Sequence, residues 1–156
     1  MLPRRRSIDH RAMSALPEID YFAPGNGRRV ADVMHWGLVS CAADTPLDVV
    51  AALMIDEVVH CVVVLDGPAA DASLWGVVSD LDLIAAASVR PLAEQAAGGS
   101  AMRPAVTIDP AESLESAARA MTRAGVAHLV VVDPVERRPI GVVSTLDLAG
   151  ALASTA

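Results

Sequence analysis

The octapeptide GVVSDLDL at residues 76–83 returns as GVVSTLDL at residues 141–148, with seven of its eight letters unchanged. The likeness reaches upstream. Met34 pairs with Met102, PLDVVAALM (46–54) with SLESAARAM (113–121), and VVHCVVVLD (58–66) with GVAHLVVVD (125–133), at offsets between 68 and 65. A chain that spells one unit twice is expected to fold as two like units. Two copies are too few for a solenoid, which needs at least about three. Two units that cover each other are the alternative.

Each copy reads as β-α-β-β-α. Short strands are expected near residues 38–41 and 105–108. The tetrapeptides Thr45-Pro46-Leu47-Asp48 and Asp109-Pro110-Ala111-Glu112 each offer a capping residue, a proline at the first helical position and an acid at the third, so a helix should start at each. Leu47, Val50, Ala51 and Met54 recur at helical spacing, as do Leu114, Ala117, Ala118 and Met121, giving each helix one apolar stripe. Small residues at 51, 117 and 118 permit close helix approach, and these stripes are expected to join two copies of the chain. The continuous runs at 62–65 and 129–132 suit strands buried on both faces. A third strand, at 74–78 or 139–143, leads into a last helix that begins at Ser79 or Ser144.

The residues divide as a basic leader (1–29, a flexible or docking segment), repeat 1 (30–88), a connector (89–99) and repeat 2 (100–153). Hydrophobic residues make up 53% of the chain and mean hydropathy is +0.44, yet only four residues are aromatic. Such a core consists of many small close contacts, with no large aromatic pocket. Lysine is absent. Six of twelve arginines lie in residues 1–29, which carry +3, while residues 30–156 carry six arginines against sixteen acids, or −10. An acidic body repels phosphate backbones, so no nucleic-acid partner is expected. No stretch approaches the roughly 18–20 apolar residues of a membrane span, so no membrane partner is expected either. The start MLPRRRSIDHRAM lacks the apolar core of a secretory signal. Cys41 and Cys61 form neither a disulfide framework nor a zinc spacing, and a cytoplasmic location with reduced thiols is the expectation. His10, His35, His60 and His128 show no metal-ligand spacing, and no nucleophile motif is present, so neither a metal site nor an enzyme is expected.

Within the octapeptide, S-x-x-D has two readings. One is a capping box, with the serine hydroxyl accepting from the helix start and the aspartate at the third position. The other is a ligand site: a glycine permits close approach, the helix start offers N–H donors to an anion, and the carboxylate accepts from vicinal hydroxyls such as those of a ribose. Spacing alone leaves both open.

Tandem β-α-β-β-α units, each with an hlVVVD strand and a closing G-h-h-S-x-x-D, resemble a pair of CBS domains, the Bateman module, over about residues 30–153. The resemblance implies an α/β (α+β) fold in which the two repeats pack about a pseudo-two-fold axis. It also implies a non-enzymatic regulatory module that binds an adenosine-containing ligand (AMP, ADP, ATP or S-adenosylmethionine) in clefts between the repeats. That ligand is regulatory, and no tightly bound cofactor is implied. A disk-shaped homodimer and an unidentified effector protein complete the expected partners; an interaction module that binds no nucleotide is the alternative. Carried over residue by residue, Asp82 and Asp147 match the ribose-binding aspartates, and Ser79 and Ser144 the hydroxyl at the ribose–phosphate end. His60 and His128 stand where phosphate contacts are common, and Val39, Ser40, Val106 and Thr107 lie on the strand that lines the base pocket. Two departures matter. Asp80 follows Ser79 where Thr145 follows Ser144, so the Asp147 cleft, with Thr145 beside it, is expected to bind an anion more tightly. His60 lies one place earlier than His128 when the repeats are aligned, so the two need not act alike. Arg103, Arg119 and Arg123 are the nearest cations.

Overall fold

The structure, a computed structural model, describes residues 27–68, 72–101 and 103–153. Residues 1–26 of the basic leader and Met102 lie outside the described residues. In chain order the elements are β1 (His35–Trp36), β2 (Ser40–Ala42), α1 (Leu47–Asp56), β3 (Cys61–Asp66), β4 (Ser73–Ser79) and α2 (Asp80–Ala87), then α3 (Ala97–Ser100), β5 (Thr107–Ile108), α4 (Leu114–Ala124), β6 (His128–Val132), β7 (Pro139–Ser144) and α5 (Thr145–Ala153). The expected mixed fold is present, and its unit occurs twice, as β2-α1-β3-β4-α2 and β5-α4-β6-β7-α5. In each unit the first strand runs parallel to the second, which runs antiparallel to the third. Even the ladder irregularities correspond, falling between Val64 and Leu65 and between Val131 and Val132.

The valine runs are buried on both faces because each face meets a different neighbour. Val62 and Val64 pack under α1 and α2 with Leu47, Val50, Met54 and Leu83. Leu129 and Val131 do the same under α4 and α5 with Leu114, Ala117, Met121 and Leu148. The alternate residues Cys61, Val63 and Val130 turn the other way and share a third cluster with Val77, Leu65, Val132 and Val142. That cluster draws on both repeats, so the two sheets face each other. Among the described residues no polar or charged side chain is fully buried.

The apolar stripes expected to join two copies are used inside the chain. Leu47, Val50, Met54, Leu114, Ala117 and Met121 all lie in the cores just described. A single stripe per helix must cover the chain's own sheet first. The large apolar side chains left exposed on the helices are Val49, Ile55, Leu81, Ile84 and Leu146.

Both expected helix starts are displaced. Pro46 is the N-cap of α1 and not its first residue, and no side chain caps that end. At α4 the cap is Ser113, whose hydroxyl accepts from Ser116 N at 3.1 Å, four residues after Asp109. Asp109 instead accepts from Ala111 N at 2.7 Å within a turn. The cause is tertiary. Carbonyls that would open the helices are already taken: Thr45 O by Ala97 N (2.8 Å), Pro110 O by Ala31 N (2.9 Å) and Glu112 O by Val30 N (2.9 Å).

Those bonds show an exchange between the repeats. Residues 30–36 open repeat 1 in sequence but pack on repeat 2: β1 pairs antiparallel with β7, His35 opposite Val142 and Trp36 opposite Gly141. Val30 and Met34 join the second core. In return, residues 97–101 fill the first core through Ala97 and Ala101. The segment read as a plain connector carries a 3-10 turn at Leu92–Glu94 and α3. Gly141 permits the exchange, since a Cβ there would meet the His35 carbonyl and the Met34 methyl. The glycine of the second octapeptide thus admits the protein's own strand.

Val130 is fully buried where the sheets meet. Truncating it to alanine removes two carbon groups, at about 0.8 kcal/mol each plus a cavity cost, so Val130→Ala should lose about 2 kcal/mol of stability by chemical denaturation. Val49→Ala, on an exposed helix face, should change stability by no more than about 0.5 kcal/mol.

Candidate functional site

Each octapeptide ends a strand and starts a helix, and its Ser and Asp close a full capping box. Asp82 Oδ2 accepts from Ser79 N (2.7 Å) and from the Ser79 hydroxyl (2.6 Å), while Ser79 Oγ accepts from Asp82 N (3.2 Å). In the second copy Asp147 Oδ2 accepts from Ser144 N and the Ser144 hydroxyl, both at 2.7 Å, and Ser144 Oγ accepts from Asp147 N at 3.2 Å. Four residues expected at a ligand site therefore hold helix starts. Each box uses only one carboxylate oxygen, and the two copies differ in what happens at the other. Among the described residues nothing hydrogen-bonds Asp82 Oδ1, whereas Asp147 Oδ1 lies 3.0 Å from His35 Nε2.

A cleft of about 290 Å³ opens at the start of α2. Repeat 1 contributes Val77 and residues 79–82; repeat 2 contributes Ala105, Val106 and residues 125–128. The walls are mostly aliphatic and the polar groups are Ser79, Asp80, Asp82 and His128. Sequence reasoning placed Ser79, Asp82, Val106 and His128 at a site, and the structure brings these four together. It missed Val77 and Leu81, apolar positions of the octapeptide itself, and Ala105 and Val126, which belong to no motif and reach the cleft only through docking of the repeats. Val39 and Ser40 hold the equivalent positions to Val106 and Thr107, and Val39 packs against the first core. Thr107 lines a separate outer groove of about 530 Å³ with Arg119, Arg123 and Arg137. Arg103 lies over the Trp75 ring, 4.6 Å from its centroid. Among the described residues no arginine lines the Asp82 cleft, so the three cations considered for phosphate all stand elsewhere.

The two histidines do act differently. His60 O accepts from Asp80 N and Ala127 O from Thr145 N, so His60 corresponds to Ala127, while Cys61 and His128 share the ladder position opposite Ser79 and Ser144. The exposed His60 ring donates from Nδ1 to Asp80 Oδ2 at 3.0 Å and holds the Asp80 carboxyl below its ordinary pKa. Desolvation pushes the half-buried His128 below the ordinary 6.5, outweighing the opposing pull of Asp80, Asp147 and Asp82. At neutral pH the cleft thus presents a neutral imidazole between carboxylates. Burial, with a smaller contribution from Asp80, pushes the Cys61 thiol up to about 12, and burial also raises Cys41. Neither thiol is a ready nucleophile. Among the described residues no cluster of three metal-ligating side chains occurs.

The family model of the CBS domain matches the chain twice, over residues 30–89 and 99–154. Similar solved structures include the CBS domain pair of protein MJ0100 in complex with 5′-methylthioadenosine and S-adenosyl-L-methionine, at 16% identity and TM-score 0.73, covering 83% of this chain and 98% of that one. CBSX2 in complex with AMP shares 25% identity at TM-score 0.67, covering 83% and 98%. The CBS domain protein PAE2072 from Pyrobaculum aerophilum, complexed with AMP, shares 22% at TM-score 0.70, covering 81% and 99%. No curated protein matches the chain.

The depressed His128 pKa fixes a sign. Below pH 6.5 the unfolded chain takes up a proton that folded His128 resists, so the stability associated with it is present above that pH and lost on acidification. Denaturation midpoints of the wild type should therefore fall more steeply than those of His128→Gln between pH 7 and about pH 5. Parallel curves would remove His128 as the source.

Proposed function

The chain belongs to the CBS-domain family, and from that membership we propose that it is a regulatory module that binds an adenosine-containing ligand in the Asp82 cleft. Occupancy would be passed to an effector protein, with no chemistry performed on the ligand. One observation carries the reading: Asp82 has an oxygen with no hydrogen-bond partner among the described residues, at a cleft that both repeats build. A ribose has two vicinal hydroxyls to donate there, and the aliphatic walls suit a purine face. Known CBS pairs that hold AMP or S-adenosyl-L-methionine support the ligand class. The completed capping boxes support the alternative, an interaction module without a nucleotide, because Ser79 and Asp82 are satisfied as they stand.

Electrostatics ranks the candidates. Among the described residues the cleft lining holds two carboxylates and no arginine. Each further negative charge about 4 Å from an exposed carboxylate costs about 1 kcal/mol, or about fivefold in affinity. His60 offsets part of the Asp80 charge. The sequence-based ranking favoured the Asp147 cleft; the geometry favours the Asp82 cleft, since His35 already occupies the corresponding oxygen of Asp147. Calorimetric titration should give affinities in the order S-adenosylmethionine or AMP above ADP above ATP, with the order compressed by salt. Asp82→Ala, checked for retained folding by circular dichroism, should abolish the tighter event. Absence of heat with all four ligands would leave the interaction module as the reading.

We place the homodimer contact on the exposed faces of α1, α2 and α5. Ile55 and Ile84 are 78% and 70% exposed, and α1 packs against α2. Sedimentation at micromolar concentration should show a dimer, and Ile84→Glu should shift it to monomer without lowering the monomer's stability by more than about 0.5 kcal/mol. Among the described residues no helix is long and apolar enough to cross a membrane.

A further inference from the structure

We propose that His35 is an internal occupant of the second motif, standing on Asp147 Oδ1 where a ligand hydroxyl would bind, so that the two sites fill in order, Asp82 first. This rests on the reading that the module binds an adenosine compound.

The chain supplies its own control. The two capping boxes agree bond for bond, within 0.1 Å, so the serines and aspartates themselves do not distinguish the sites. The difference lies in what reaches the remaining oxygen. Residues 30–36 are held on repeat 2 by the β1–β7 ladder, by Gly37 N donating to Ile140 O at 3.0 Å, and by the bonds from Val30 and Ala31. That anchoring delivers the His35 ring to Asp147, whose side chain is only 11% exposed although the imidazole is 80% exposed. In the other copy the residue after the methionine is Arg103, which lies over Trp75 and leaves Asp82 Oδ1 open.

The contact is suited to a gate. The His35 backbone is fixed in a ladder, but its exposed ring can leave by side-chain rotation alone, so a ligand can displace it without unpairing β1. The competing bond is one between an imidazole and a carboxylate, and its loss should cost the incoming ligand about tenfold in affinity.

The test is a calorimetric titration with AMP of wild type, His35→Ala, His35→Gln and His35→Ala/Asp82→Ala. Wild type should show one event, with a second at least about tenfold weaker. His35→Ala should tighten the second event about tenfold and leave the first unmoved. His35→Gln, which keeps a donor, should behave nearer to wild type, and the double variant should retain only the second event. Two equal events in the wild type, or a second event unchanged in His35→Ala, would overturn the gate alone. No heat in any variant would overturn the ligand reading and the gate together.

Discussion

Everything in this protein depends on strands that cannot be covered by their own repeat. In β3 and β6 the side chains alternate between a helical layer and the opposite sheet, and both sets are apolar. One repeat has helices for only one face. Its other face, with Cys61, Val63 and Val77, would stand open to water at about 25 cal/mol per Å². The second copy is the surface that covers it. The paired architecture is thus a consequence of the valine runs, and the cleft is a consequence of the pairing. Where the sheets meet they close; at the helix starts, beyond the valines, residues 79–82 and 125–128 stand apart around a space neither repeat could enclose alone.

The exchange of terminal segments ties the pair together. Residues 30–36 complete the second core, and residues 97–101 complete the first. Each repeat is therefore finished by chain that the sequence assigns to the other. This is also where symmetry fails. Where the segment on repeat 2 carries His35-Trp36, the sequence-equivalent positions carry Arg103-Pro104. The repeats keep apolar residues where the helices and strands face a core, and differ in polar residues beside the motif. His35 and Arg103, both exposed and polar, make different contacts there, His35 with Asp147 and Arg103 with the Trp75 ring.

The sequence disclosed what periodicity and repetition can disclose. The strand and helix order, the two-sided burial of the valines and the capping role of Ser79–Asp82 and Ser144–Asp147 all follow from local pattern, and all are present. The failures share a different character. The caps read at Thr45 and Asp109 are locally sound, but the carbonyls at Thr45, Pro110 and Glu112 serve residues that lie 52, 79 and 82 positions away. The apolar stripes were correctly found and wrongly assigned, because a stripe does not say whether its partner is the same chain or another. His35 escaped notice as a site residue for the same reason. It belongs to no motif and reaches Asp147 across 112 positions. Val106 came with a family resemblance, yet its neighbours Ala105 and Val126 carry no signal that would separate a cleft wall from any other half-buried residue.

The capping box and the proposed ligand site use different oxygens of one carboxylate, so the two readings are geometrically compatible. A carboxylate has two oxygens, each able to accept more than one hydrogen bond. Oδ2 of Asp82 takes the Ser79 N–H and hydroxyl, which fixes the rotamer and the start of α2. Fixing the rotamer also fixes Oδ1, and it does so before any ligand arrives. Binding then spends little on ordering the side chain, which is the usual gain of a preorganised site. On the proposed reading, the structural role would lower the cost of the functional one. The same logic explains why Asp147 can be held by His35 without disturbing α5: the oxygen that serves the fold and the oxygen that faces outward are separate, so occupancy of one is invisible to the other. The Ser-x-x-Asp motif can therefore close the same capping box in two places while its outward oxygens differ, that of Asp147 meeting His35 and that of Asp82 meeting no hydrogen-bond donor among the described residues.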